Sequence, residues 1–102
     1  MAVGLILRLP GKTNADYDAV NAKLGIDPRS GIGDWPAGLL SHAAGEADGA
    51  LVVMEVWESR EAQGRFMEQR LGPAIGQAGV IATPELTWVD LVSFYTPGNV
   101  PA

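Results

Sequence analysis

Residues 38–59 read GLLSHAAGEADGALVVMEVWES. Gly38–Gly45 has the alternation of a strand, Glu46-Ala47-Asp48-Gly49 supplies a turn whose Gly tolerates positive φ, and Ala50–Trp57 is a second strand. Ser59 then stands where a helix beginning at Arg60 needs an N-cap. A strand hairpin running directly into a capped helix is half of a split βαβ unit.

The flanks supply the other half. Val3, Leu5, Leu7 and Leu9 alternate with Gly4, Ile6 and Arg8 and end at Pro10-Gly11, which predicts a first strand with one fully apolar face. Thr13 with Asp16 three residues on is close to a capping box. Tyr17, Val20 and Leu24 form one helical stripe and Gly25 is a natural stop, so the spacing predicts a helix over 14–24. Residues 25–37, GIDPRSGIGDWPA, form a long loop carrying Trp35, read either as a plug on the end of the core or as a lid over a ligand.

Downstream, Gly64, Met67, Leu71, Ala74, Ile75 and Ala78 share one helical stripe. Gly64 on that stripe predicts close approach of helix to sheet, and Gly72-Pro73 predicts a kink or restart. Ala62 and Phe66 make a second, smaller stripe whose cover must come from outside the main core. Glu85–Phe94 is the last strand. The order is β-α-β-β-α-β: an α+β, ferredoxin-like fold with a four-stranded antiparallel sheet and both helices on one face. One domain spans 1–94, followed by an irregular tail over 95–102.

Sorting the alternations assigns Val3, Leu5, Leu7, Leu9, Val52, Met54, Val56, Val89 and Leu91 to the helix-covered face. Ile6, Arg8, Leu51, Val53, Glu55, Trp57, Leu86, Trp88, Asp90, Val92 and Phe94 fall on the other face. No element is left to cover that second face, and large apolar patches are rare on monomers. The expectation is a homodimer packed sheet against sheet, with Arg8, Glu55, Trp57, Trp88 and Asp90 at its interface. Arg8–Glu55 is the favoured ion pair there, because an unpaired buried charge is costly.

Composition narrows the function. Hydrophobic residues make up 47% of the 102 residues and the net charge is −5, with a pI near 4.6. The basic residues are scattered singly, which argues against nucleic acid and against an anionic membrane surface. There is no cysteine, hence no disulfide, thiolate nucleophile or cysteine metal site. The N-terminal apolar run in MAVGLILRLPGK is short and lacks a preceding basic segment, and no stretch approaches the ~20 apolar residues of a membrane span. A cytoplasmic protein is expected.

The segments GLLSHAAG, DGALVVMEVWES and REAQGRFMEQRLGPAI resemble the dimeric α/β-barrel superfamily, and within it the antibiotic-biosynthesis-monooxygenase-like proteins. The resemblance runs over nearly the whole chain and is clearest over 38–75. It implies a homodimer whose sheets pack into a barrel, with a pocket in each protomer between sheet and helices. Members include cofactor-independent oxygenases acting on polycyclic phenols, haem-degrading enzymes, and small decarboxylases or dehydratases. The haem-degrading branch carries a Trp and an axial His on the second helix. Phe66 and Gly76 stand at those places here, so the resemblance does not extend to haem ligation.

Among chemistry-bearing residues, His42 is the sole histidine, so a multi-histidine metal cluster is ruled out and no metal site is expected. It shares a strand face with Leu40 and Ala44. Two readings stay open: a half-buried histidine satisfied by its neighbours, or a general base. Tyr17, Trp35 and Phe66 are the pocket-lining candidates, while Arg65 and Arg70 read as a solvated helix face. One functional expectation is a cofactor-independent monooxygenase or related tailoring enzyme acting on an aromatic or polyketide-like small molecule, with His42 as base and no cofactor. The other is a non-catalytic dimeric module that binds a small molecule or serves in stress.

Overall fold

The computed structural model describes residues 2–97. Strand β1 (Val3–Pro10) leads into α1 (Asn14–Leu24), a short ribbon of β2 (Ile26–Asp27) and β3 (Ile32–Gly33), and the hairpin β4 (Leu39–Ala47) and β5 (Ala50–Trp57). Helix α2 (Arg60–Phe66), a wide turn over Met67–Leu71, α3 (Gly72–Gln77) and β6 (Glu85–Asp90) complete the chain. The main sheet has the order β4-β5-β1-β6, and its pairings are antiparallel. This is the expected ferredoxin-like arrangement. The expected loop over 25–37 is partly ordered as the β2–β3 ribbon, and β6 ends at Asp90, short of Phe94. Much of the expected tail, from residue 98 on, lies outside the described residues.

Local signals set the helix ends. Asp16 accepts the Thr13 backbone N–H at 2.9 Å, and Gly25 takes the left-handed conformation at φ 75°, so α1 begins and stops where its caps place it. Glu46 on β4 accepts the Asn14 N–H at 2.7 Å and docks the same helix end onto the sheet. Ser59 accepts the Ala62 N–H at 3.1 Å and starts α2.

The hairpin turn is tighter than its sequence suggested. Asp48 and Gly49 alone make it, with φ of 52° and 74°, and Ala47 pairs directly with Ala50. Two consecutive positive φ values give the turn whose twist matches the strands it joins.

Register then corrects the expected faces. Leu5 lies opposite both Glu55 and Trp88, Leu7 opposite Val53, and Leu9 opposite Leu51. Directly paired residues share a face. The helix-covered layer therefore holds Leu51, Val53, Glu55, Trp57 and Trp88, while Val52, Met54, Val56 and Val89 lie on the open face with Ile6 and Arg8. The buried cluster is Leu5, Leu7, Leu51, Val53, Trp57 and Ala62. Each large aliphatic member contributes about 1.5–3 kcal/mol by leaving water. Glu55, Trp57 and Trp88 are thus removed from the expected dimer interface. Asp90 leaves it too, since its carboxylate lies 3.8 Å from Arg60 at the start of α2. Arg8 stays on the open face, but it pairs with Glu85 at 3.1 Å rather than with Glu55.

The second helix is corrected in the same sense. Ala62 and Phe66 are the stripe that meets the core, with Phe66 5.7 Å from the Trp57 ring. Gly64 is exposed with open space around it, so it marks no close approach. The Gly72-Pro73 break is absorbed by the wide turn, in which the Gly72 N–H reaches back to the Met67 carbonyl. That extra residue shifts the helical phase, so the stripe passes from Ala62 and Phe66 to Leu71 and Ile75.

Candidate active site

Between sheet and helices lies a partly open cavity of about 130 Å³. Its floor is Leu7, Leu9, Leu51 and Val53 from the sheet, and Phe66, Met67, Leu71 and Ile75 close the helical side. Trp35 and Pro36 from the long loop form part of the wall. The volume is close to the roughly 150 Å³ of an apolar void that holds one benzene, which sets the scale of one aromatic ring inside the protein.

Three of the polar residues that line this largely apolar space, Tyr17, His42 and Glu55, form one hydrogen-bonded chain with Trp57 behind them. His42 on β4 sits opposite Glu55 on β5. A bulge at Leu40 interrupts the alternation of β4, so His42 shares its face with Leu39 instead of the exposed Leu40. His42 Nδ1 lies 2.8 Å from Glu55 Oε2. Trp57 Nε1–H donates to Glu55 Oε1 at 2.9 Å, and the Tyr17 hydroxyl lies 2.6 Å from His42 Nε2. Side-chain exposure is 16% for His42 and 8% for Glu55.

Donor chemistry fixes the direction of the chain. An indole N–H only donates, so Glu55 accepts on Oε1 and, as a carboxylate, accepts from Nδ1–H on Oε2. Nδ1 thereby carries the proton, and Nε2 offers a lone pair toward Tyr17. Burial, with the Glu55 charge adding to it, holds the Tyr17 phenol above its ordinary range. That keeps Tyr17 neutral and able to donate. The arrangement is an oriented imidazole with a carboxylate behind it, the geometry that lets a histidine take a proton from a ligand.

The remaining expected pocket residues also converge here. The Trp35 ring stands 5.3 Å from that of His42, and its Nε1–H donates to the Gly31 carbonyl at 3.0 Å. Phe66 lines the cavity between Trp57 and Met67. Arg70, read from sequence as solvated, is half-buried. It donates to the Leu24 and Asp34 carbonyls, ion-pairs with Asp34 at 3.3 Å, and lies over the Phe66 ring at 5.4 Å. It holds the Trp35 loop against the helices. Arg65 is exposed as expected.

Glu55 is the member of this chain that sequence reasoning did not bring to the pocket, because it was placed on the wrong face. The signal was present. A two-residue Asp48-Gly49 turn pairs Ala47 with Ala50 and, counted back along both strands, His42 with Glu55. Among the described residues, no group of three or more His, Cys, Asp or Glu side chains is arranged to hold a metal ion, and no helix is long and apolar enough to cross a membrane.

No family model matches this chain, and no curated protein does. Solved structures do. Rv0793 from Mycobacterium tuberculosis superposes with a TM-score of 0.66 at 19% identity, over 94% of this chain and 100% of that one. A Chloroflexus aurantiacus protein provisionally described as an antibiotic biosynthesis monooxygenase gives 0.66 at 20% identity, over 96% and 100%. SnoaB, a cofactor-independent oxygenase from Streptomyces nogalater, gives 0.59 at 18% identity, over 95% and 97%. The chain has the fold of the antibiotic-biosynthesis-monooxygenase-like proteins.

Proposed function

We propose that this protein is a cofactor-independent monooxygenase, or a related tailoring enzyme, acting on a small aromatic molecule with an ionisable hydroxyl. The observation that carries this reading is the His42–Glu55 pair at the polar end of an apolar, ring-sized cavity. The base withdraws the substrate's phenolic proton and leaves an electron-rich anion. That anion passes an electron to dioxygen and the two radicals join in a carbon–oxygen bond. The resulting peroxide takes back the proton held by His42 and loses water as its O–O bond and the C–H bond at that carbon break, leaving a carbonyl. The walls, Trp35 and Phe66 among them, hold the ring and exclude water. Loss of water strengthens the charge interactions of the site. The fold shared with SnoaB supports the same chemistry.

His42→Gln is expected to lower oxygen-dependent turnover of a bound phenol by about 10²–10⁴-fold, the usual worth of a positioned base. Oxygen-electrode rates on both proteins check this, and unchanged turnover would remove His42 from the role. One observation favours a second reading, a non-catalytic binding module: both His42 nitrogens are already satisfied within the protein. Ligand retention by wild type with no oxygen uptake would select that reading.

The homodimer also belongs to the proposal, on a corrected surface. Ile6, Leu40, Met54 and Val89 are exposed large hydrophobics, with Met54 at 50%. Ile6, Met54 and Val89 stand on the uncovered face of the sheet. A second copy laid against that face hides them, and the Arg8–Glu85 pair then sits at its margin. Met54→Glu is expected to shift the protein to monomer at micromolar concentration, because two copies would bring like charges into a dry interface. Sedimentation velocity reads the change; a wild-type monomer would refute the dimer.

A further inference from the structure

Before any ligand arrives, His42 is enclosed. Nδ1 faces Glu55 and Nε2 faces the Tyr17 hydroxyl, while Trp35 leans on the ring. The ring planes of Tyr17 and His42 lie within 11° of parallel, an arrangement in which the phenol oxygen can meet the in-plane lone pair of Nε2. Tyr17 itself lines the cavity. Its ring also packs against the buried cluster around Leu5, Leu7 and Leu51, so swinging it aside would expose apolar surface. Tyr17 and His42 both line the cavity, and because the Tyr17 hydroxyl already holds Nε2 at 2.6 Å, a ligand hydroxyl reaches that lone pair only through the Tyr17 oxygen or by displacing it.

We propose that Tyr17 is a catalytic residue: its hydroxyl accepts the substrate's proton while handing its own to His42 Nε2. The inference rests on the reading of His42 as base. The substrate O–H bond breaks and that proton bonds to the Tyr17 oxygen. The original Tyr17 O–H breaks and an N–H forms at Nε2. The substrate is left as a phenolate, the imidazolium is held by Glu55, and Tyr17 ends neutral, as it began. Trp57, by fixing Glu55 as an acceptor, sets the direction in which protons move. Tyr17 neutrality, favoured by burial, suits a carrier that must hold one proton while passing another.

The test uses 4-nitrophenol as probe, at a pH just below its own pKa, with wild type, Tyr17→Phe and His42→Gln. The visible phenolate band reports ionisation of the bound probe. Wild type is expected to bind the probe more ionised than it is in free solution. Tyr17→Phe should bind it with similar affinity but lose that ionisation by about tenfold or more, equivalent to one unit in the probe's pKa. His42→Gln should lose it likewise. Ionisation kept or increased in Tyr17→Phe would overturn the relay and make Tyr17 a displaceable cover over Nε2. A wild type that fails to bind the probe, or binds it without ionising it, would overturn the base reading and the relay with it. Tyr17→Phe keeps the ring, and the nitrogen-15 resonances of the sole histidine read the contact without any ligand. An Nε2 resonance unmoved by the substitution would show that the Tyr17–His42 hydrogen bond is absent and would overturn the proposal.

Discussion

Glu55→Gln is expected to cut turnover by about 10²–10⁴-fold while costing little of the fold, the pattern expected when a base is left in the wrong tautomer. Both partners of the carboxylate are donors: Trp57 Nε1–H at 2.9 Å and His42 Nδ1 at 2.8 Å. An amide has one oxygen and one NH₂ group. Trp57 claims the oxygen because an indole cannot accept, so the amide nitrogen faces His42. Histidine meets that donor by moving its own proton to Nε2, and the lone pair that received protons is gone. The nitrogen-15 shifts of the only histidine should report the exchange directly. Glu55→Ala differs, because it leaves two buried donors without an acceptor at about 1–3 kcal/mol each. A fall in denaturant midpoint for Ala, with little change for Gln, separates orientation from structure.

The second large effect is on stability. Trp57 is fully buried, with 0% exposure, at the centre of the core. Trp57→Ala is expected to cost about 3–5 kcal/mol, a large share of the roughly 5–15 kcal/mol that holds a domain of this size together. Trp57→Phe retains most of the ring contact with Phe66 but leaves Glu55 Oε1 without its donor. Its cost should be smaller, and it should loosen the orientation of His42. Equilibrium urea unfolding of both variants checks the order. Equal losses would show that the hydrogen bond to Glu55, not the packed ring, supplies the stability.

The two replacements concern the residues that sequence reading placed on the wrong side of the sheet. On β5, Leu51, Val53 and Trp57 alternate with Val52, Met54 and Val56, so both faces are apolar and period alone cannot choose between them. The decision lies in partners distant in sequence: Ala62 and Phe66 need a large ring opposite, and His42 needs Glu55. The bounds of α1 and the start of α2, by contrast, were legible because Thr13, Asp16, Gly25 and Ser59 act on their immediate neighbours. Tyr17, Trp35 and Phe66 were also found as cavity residues, since bulky aromatics on a loop and helices above a sheet have few other places to go. Arg70 was misread because its partners, Leu24 and Asp34, belong to segments more than thirty residues away.

The wide turn over Met67–Leu71 makes one wall of the cavity depend on chain length as much as on side-chain identity. Rewinding the segment to ordinary helix at its present length would turn everything beyond it by about 100° about the axis, whereas rewinding with one residue removed would set Leu71 four residues after Phe66 and leave the phase as it is. In the first case Leu71 and Ile75 would leave the rim; in the second they would stay on it, and the His42–Glu55 pair is untouched in both. The wide turn is thus the means by which a helix one residue too long for its stripe still delivers Leu71 and Ile75 to the cavity, and a substitution that unwinds it would reshape what the cavity admits while the proton-handling groups stay fixed.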